Sequence, residues 1–309
     1  MTYLDRPDTI KKRSDPRVIL TECKSVIMLG MQYAQNIGSE ISNPDFQIAS
    51  YARHEDYHLV IPQRLKILSS SIFDFSSGQS TCVASTDSAP VLERDLAQRA
   101  GLGWIGKNSC LISPLSGSFF LLAEIFTNLE MPPDEPFEAD RCGNCRRCIE
   151  ACPTGCIQSD RTLDARSCIS YLTIEKKGDI PTHLRPKIGN WLFGCDICQS
   201  VCPWNKKILK PQFSGLPMTS FDPGVQSLAQ ILKMDENEFQ NAFSGSPLLR
   251  TKRQGIIRNA AVVLGNFPDS KDYPVLENII ASETDPGIQT HTACALKKSD
   301  LDSPDIGSS

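Results

Sequence analysis

Apolar residues fall in short runs along the first third of the chain and at helical spacing along the last third. Ser25–Gly30 (SVIMLG) and Thr81–Ser85 (TCVAS) read as buried strands, and Ser118–Phe126 as a further strand. Leu59–Leu68 carries apolar residues three and four apart, the spacing of one helix face. Pro90, Leu92, Leu96 and Ala100 predict a short amphipathic helix with proline in its first turn and Gly101 just past its end. Strands and helices thus intermingle over residues 1–130, the pattern of an α/β domain. Met131–Pro136 (MPPDEP) is a stiff, proline-rich link. Far downstream, Ser227–Lys233, Asn237–Phe243, Thr251–Gly265, Val275–Ser282 and Ile288–Lys297 read as short helices, with the punctuation of HEAT-type repeats. Residues 299–309 are polar and expected to be disordered.

Composition narrows the picture. A chain of 309 residues with 40% hydrophobic and 22% charged residues is globular and long enough for two or three domains. No apolar stretch resembles a secretory signal or a membrane span, so a cytoplasmic protein without a membrane partner is expected. The formal charge of −4 excludes a wholesale basic coat, leaving a nucleic-acid partner dependent on a local basic patch. Thirteen cysteines, an odd number, in a reducing compartment point to metal ligation or redox chemistry rather than disulfides.

Nine of the thirteen lie between Cys142 and Cys202. Cys142, Cys145, Cys148 and Cys152-Pro153 form the C-x2-C-x2-C-x3-C-P run of bacterial ferredoxins, in which the fourth cysteine serves the other cluster. Cys195, Cys198 and Cys202-Pro203 repeat its last three positions, and Cys168 can supply the missing leading member. The crossed logic assigns Cys142, Cys145, Cys148 and Cys202 to one 4Fe-4S cluster, and Cys152, Cys168, Cys195 and Cys198 to a second. A pair of structural zinc sites is the alternative, since CxxC pairs also build zinc ribbons. Cys156 reads as a spare buried thiol or a replacement ligand, and Cys23, Cys82, Cys110 and Cys294 as small core residues.

Two clusters form an electron conduit, and a bare ferredoxin needs far less chain. SYARHEDYH (Ser50–His58), DSAPVLERDLAQRAGLGWIGKN (Asp87–Asn108), CGNCRRCIEACPTG and RPKIGNWLFGCDICQSVCPWN (Arg185–Asn205) together resemble the epoxyqueuosine reductases, cobalamin-dependent iron–sulfur enzymes of tRNA queuosine synthesis. The resemblance runs through most of the chain, although the family's sequences begin upstream of the point aligned with Met1. An opening helix and strand are therefore expected to be lacking.

The resemblance implies a mixed α+β and α/β architecture. It comprises a cobalamin-binding α/β domain (1–130), a ferredoxin-like two-cluster domain (131–210) and a helical HEAT-like tRNA-binding domain (211–298). It further implies reduction of epoxyqueuosine to queuosine at the wobble position of tRNAs with GUN anticodons, by a monomer drawing on an external flavodoxin- or ferredoxin-type donor. Asp87 matches the family's proton donor, a role that requires a raised pKa. Read from the residues alone, Asp87 is a helix cap whose ionised form the helix would favour.

Family analogy sets Tyr51, Arg53 and His58 beside the cofactor, His58 not as a cobalt ligand. Gln199 and Ser200 would sit where cluster and corrin meet. The G-x-G-x-x-G within Gly101–Lys107 invites a dinucleotide, but a helix precedes it where that fingerprint requires a strand. Its glycines are expected to let backbone approach the corrin, with Lys107 and Asn108 contacting it. Arg250, Lys252, Arg253 and Arg258, with Lys206, Lys207 and Lys210, are expected to track RNA phosphates, the alternative being a solvated charged face. Two rivals stay open: a dehalogenase-like reductase of a small molecule, and a non-catalytic ferredoxin-type electron carrier.

Overall fold

A computed structural model describes residues 6–33, 45–206 and 227–302. Lys207 and Lys210 lie outside the described residues. After the helix α1 (Pro7–Ser14) comes a three-stranded antiparallel sheet of β1 (Ser25–Gln32), β3 (Cys82–Ser85) and β6 (Phe120–Thr127), in the order β1-β6-β3. β6 is the central strand, which is why FLLAEIFT is apolar on both faces. The expectation of buried strands is corrected for β3, an edge strand whose Val83 is 36% exposed. β1 pairs with β6 along its whole length, Ser25 opposite Thr127.

Helix α2 (Tyr57–Phe75) is started by Asp56, whose carboxylate accepts the backbone N–H of His58. The expected helix from Pro90 begins later, as α3 (Glu93–Arg99), so Pro90 lies ahead of its first turn. The hairpin of β4 (Trp104–Ile105) and β5 (Leu111–Ile112) follows.

The cysteine region carries α4 (Arg147–Glu150), α5 (Ile169–Ile174), α6 (Arg185–Ile188), β7 (Trp191–Phe193), α7 (Ile197–Ser200) and α8 (Pro203–Lys206). β7 pairs in parallel with the short β2 (Gln47–Ile48), tying the N-terminal part to this region. The last part is helical: α9 (Leu228–Lys233), α10 (Glu236–Ala242), α11 (Lys252–Asn266), α12 (Val275–Ser282) and α13 (Pro286–Asp302). α13 continues through Asp302, so the expectation of disorder from 299 is corrected for residues 299–302, and residues 303–309 lie outside the described residues.

The largest core crosses the domain limits expected from the sequence. Phe46 and Ala52, Leu192 and Phe193 of β7, and the buried faces of α9–α13 form one apolar cluster. Asn259 of α11 donates to the carbonyls of Thr173 (2.7 Å) and Leu192 (2.9 Å), stitching helix to cysteine region. No helix among the described residues is long and apolar enough to cross a membrane.

Candidate active site and cluster sites

Asp87 lies in the turn between β3 and α3, with φ at +52°. It caps nothing: α3 starts six residues on, after Leu92, and has no side-chain cap. Its carboxylate is instead gripped by the first turn of α2, where Tyr57 Oη donates to Oδ2 over 2.8 Å and His58 Nε2 lies 3.3 Å from the same oxygen. His58 Nδ1 faces Asp56 at 2.8 Å, so an imidazolium with both nitrogens donating suits this pocket. Those two carboxylates push the His58 pKa up to about 9. Conversely, His58 first, and Tyr57 after it, hold Asp87 below the ordinary carboxylate range. The raised pKa expected of a proton donor is therefore corrected. In this state the proton resides on His58, one hydrogen bond from Asp87.

Asp87 lines a cavity of about 280 Å3 with Tyr33, Glu93, Arg94, Cys110, Ser118 and Gln199. The Gln199 side chain accepts the Ser118 hydroxyl at 2.9 Å, fixing its amide at the wall nearest the cysteines. Ser200 is exposed and does not line this cavity, contrary to expectation. Tyr51 packs edge-on against Tyr57 and at a tilt against Phe193. Arg53 donates to the Ile48 carbonyl, and Ser50 clamps Asp196, binding this stretch to the loop of Cys195. Tyr51 and Arg53 thus support the site from beneath. Tyr57 and Glu93 escaped the sequence reading, although both stand inside the stretches that carried the resemblance.

Cys142, Cys145, Cys148 and Cys202 line a single cavity of about 260 Å3. Asn108 and Lys107 line it too, and neither lines the cavity of Asp87. Lys107 Nζ donates to the carbonyls of Gly143 (2.6 Å) and Cys145 (2.9 Å). Asn108 is 5% exposed, and its Nδ2 is buried with no hydrogen-bond partner, a donor awaiting an acceptor such as sulfide. Trp104 Nε1 lies 3.5 Å from Cys142 Sγ.

The glycines of the G-x-G-x-x-G serve the protein itself. A Cβ on Gly103 would stand 2.1 Å from the Ile112 carbonyl oxygen, so glycine is required for β4 to approach β5.

The Cys168 thiol lies within electrostatic reach of those of Cys152, Cys195 and Cys198, which form a second group around it. Two thiols join them. Cys156 Sγ is 3.5 Å from Cys152 Sγ, and Cys110, expected to be plain core, lines the cavity of Asp87 and touches Cys198 behind it. Among the described residues no three His, Cys, Asp or Glu side chains close around a single ion.

Of the expected RNA contacts, Arg258 is corrected: it is 5% exposed and donates to the carbonyls of Leu172, Lys176 and Gly178, which fold around it. Arg253 is engaged internally as well, by Glu283 (2.8 Å) and the Met234 carbonyl (2.7 Å). Arg250 pairs with Glu175 and is near enough to Asp87 to influence it, while Lys252 is exposed.

Residues 13–88 match the family described as epoxyqueuosine reductase QueG, DUF1730, and residues 141–205 match a 4Fe-4S double cluster binding domain. An epoxyqueuosine reductase of Pseudomonas aeruginosa is 40% identical over 295 residues, spanning 93% of this chain and 80% of the relative. The fold is similar to that of epoxyqueuosine reductase from Streptococcus thermophilus, with a TM-score of 0.84 at 31% identity over 96% of this chain and 79% of the other. It is also similar to an epoxyqueuosine reductase crystallised with an epoxyqueuosine-modified tRNA-Tyr stem loop, with a TM-score of 0.78 at 28% identity over 97% and 88%. A relative this similar along four-fifths of its length makes the chain a member of the epoxyqueuosine reductase family.

Proposed function

We propose that the protein reduces epoxyqueuosine to queuosine in tRNA, with Asp87 as proton donor, two 4Fe-4S clusters and cobalamin. The observation that carries this reading is the shared cavity: Asp87 and Gln199 line it together, and Cys110 joins it to Cys198. A proton source and a cluster site thus stand on either side of the Cys110 thiol.

The overall change adds two electrons and two protons to the epoxide, breaks its two C–O bonds and leaves an alkene and water. Asp87 would deliver a proton to the departing oxygen and draw its replacement from His58, while Tyr57 fixes the carboxylate in line. Cobalamin, when bound, would supply a strongly nucleophilic low-valent metal. The cavity's chemistry fits a corrinoid's apolar faces and amide rim, with Phe120, Leu121 and Leu122 beside Gln199, Ser118 and Arg94. The crossed cysteine sets would hold the clusters, Cys142, Cys145, Cys148 and Cys202 in one, Cys152, Cys168, Cys195 and Cys198 in the other.

For tRNA, Lys176, Lys177, Arg250 and Lys252 line a cavity of about 370 Å3 beside α11 and would neutralise phosphates. The functional division is into a cobalamin-binding part (1–130), a cluster part (131–210) and a helical RNA-binding part (211–298). The decisive experiment is anaerobic purification with metal analysis and turnover of epoxyqueuosine-containing tRNA. About eight iron and one cobalt per chain with queuosine formed supports the reading. Iron without any uptake of cobalamin, or zinc in place of iron, overturns it.

A further inference from the structure

Behind Asp87 stands a pair of carboxyl groups that the proposed chemistry leaves unused. Glu124, in the central strand β6, is wholly enclosed. Its Oε1 accepts the Ser85 hydroxyl, and its Oε2 is buried without a hydrogen-bond partner. An ionised carboxylate with one oxygen stranded in that setting is strongly disfavoured, and the group is neutralised instead. Glu93, the first residue of α3, adjoins it, and each carboxyl alters the other's titration. One proton held between the two supplies the donor that Glu124 Oε2 lacks.

Glu93 also faces forward. Its Oε1 accepts the backbone N–H of Asp87 at 2.6 Å. That amide belongs to a residue at φ +52°, the left-handed region that Asp and Asn enter more readily than other side chains. The same carboxyl group therefore touches both the buried pair and the turn that carries Asp87.

We propose that Glu93 is a positioning residue: sharing one proton with Glu124, it clamps the Asp87 amide and keeps the left-handed turn directed into the cavity. The catalytic consequence rests on reading Asp87 as the proton donor, but the clamp itself does not. The groups facing Glu93 are Glu124 and Asp87, which oppose its ionisation, and Arg94, which favours it. Behind Asp87 stand His58 and Tyr57. Burial first, and Glu124 after it, push the Glu93 pKa up to about 8. The Asp87 N–H itself favours ionised Glu93, so ionisation does not release the clamp.

The test is amide hydrogen exchange on the cofactor-free full chain, followed in the peptide Thr86–Leu92 at pH 6.5, where His58 keeps its proton. Glu93→Gln keeps an acceptor oxygen, so its protection should stay within a few-fold of wild type. Glu93→Ala should lose about tenfold or more. Full protection in Glu93→Ala, or protection lost in Glu93→Gln, overturns the clamp; if the alanine variant does not fold, the glutamine variant alone decides. Normal turnover by Asp87→Asn alongside the expected exchange pattern would sink the donor role and leave the clamp standing.

Discussion

Tyr57 Oη donates to Asp87 Oδ2 over 2.8 Å, and His58, the next residue on the same helical turn, reaches that same oxygen. Tyr57→Phe removes one donor to the ionised form. A hydrogen bond to a charged group contributes about 1.5–3 kcal/mol when buried. The Asp87 side chain is 47% exposed, so solvent screening cuts this to about 1 kcal/mol, or under one pKa unit. The Asp87 pKa should therefore rise, measured by carboxyl-carbon NMR titration of the cofactor-free protein.

The signs at the two ends of the pair differ. Asp87 has a depressed pKa, so its contribution to stability is present above the ordinary carboxylate value and is lost as pH falls through the folded one. His58 is raised to about 9, so its contribution is full below 6.5 and lost as pH climbs through about 9. Stability and turnover should both decline on the alkaline side near pH 9, and His58→Gln should abolish that decline in thermal unfolding.

Asp87→Asn should keep the fold and the iron content yet lower turnover about 100-fold or more, the usual worth of a positioned acid. Asparagine is the right probe here because it tolerates the positive φ of this turn better than other side chains. Turnover within a few-fold of wild type would remove Asp87 from the chemistry.

Cys202 shares its cavity with Cys142, Cys145 and Cys148 despite lying in the later run. Cys202→Ala and Cys148→Ala should each lose about half the iron, and the double variant should lose no more than either alone. A double variant stripped of nearly all iron would place Cys202 with the other group.

Much of this was legible in the chain. Fixed spacings announced the cysteine sets, and β1, α2 and β6 followed from their apolar period. What escaped depended on contacts between distant segments. Lys107 and Asn108 look like cofactor contacts beside glycines, yet the β4–β5 hairpin turns them onto the loop of Cys142. Arg258 reads as one of a basic group, yet its neighbours Ile256, Ile257, Ala260 and Ala261 bury that face of α11 completely.

Arg258→Ala should accordingly destabilise the protein by about 3 kcal/mol, because it strands three buried carbonyls, read in chemical unfolding. It should leave the salt dependence of tRNA binding unchanged. Lys252→Ala should do the reverse, lowering the salt slope by about one with little loss of stability. A reduced slope in Arg258→Ala would return that residue to the RNA.

Asn108 Nδ2 offers the cleanest electronic test, since it is a buried donor with no protein partner at the wall of the Cys142 cavity. A hydrogen bond to a cluster sulfur favours the reduced state, whose negative charge is greater, and so raises the reduction potential. A net hydrogen bond of about 0.5–1.5 kcal/mol corresponds to about 20–60 mV for one electron. Asn108→Ala should lower the potential of that cluster by this amount and leave the other unmoved, measured by redox titration with electron paramagnetic resonance. An unchanged potential would mean that the amide points to solvent-derived partners instead of sulfur.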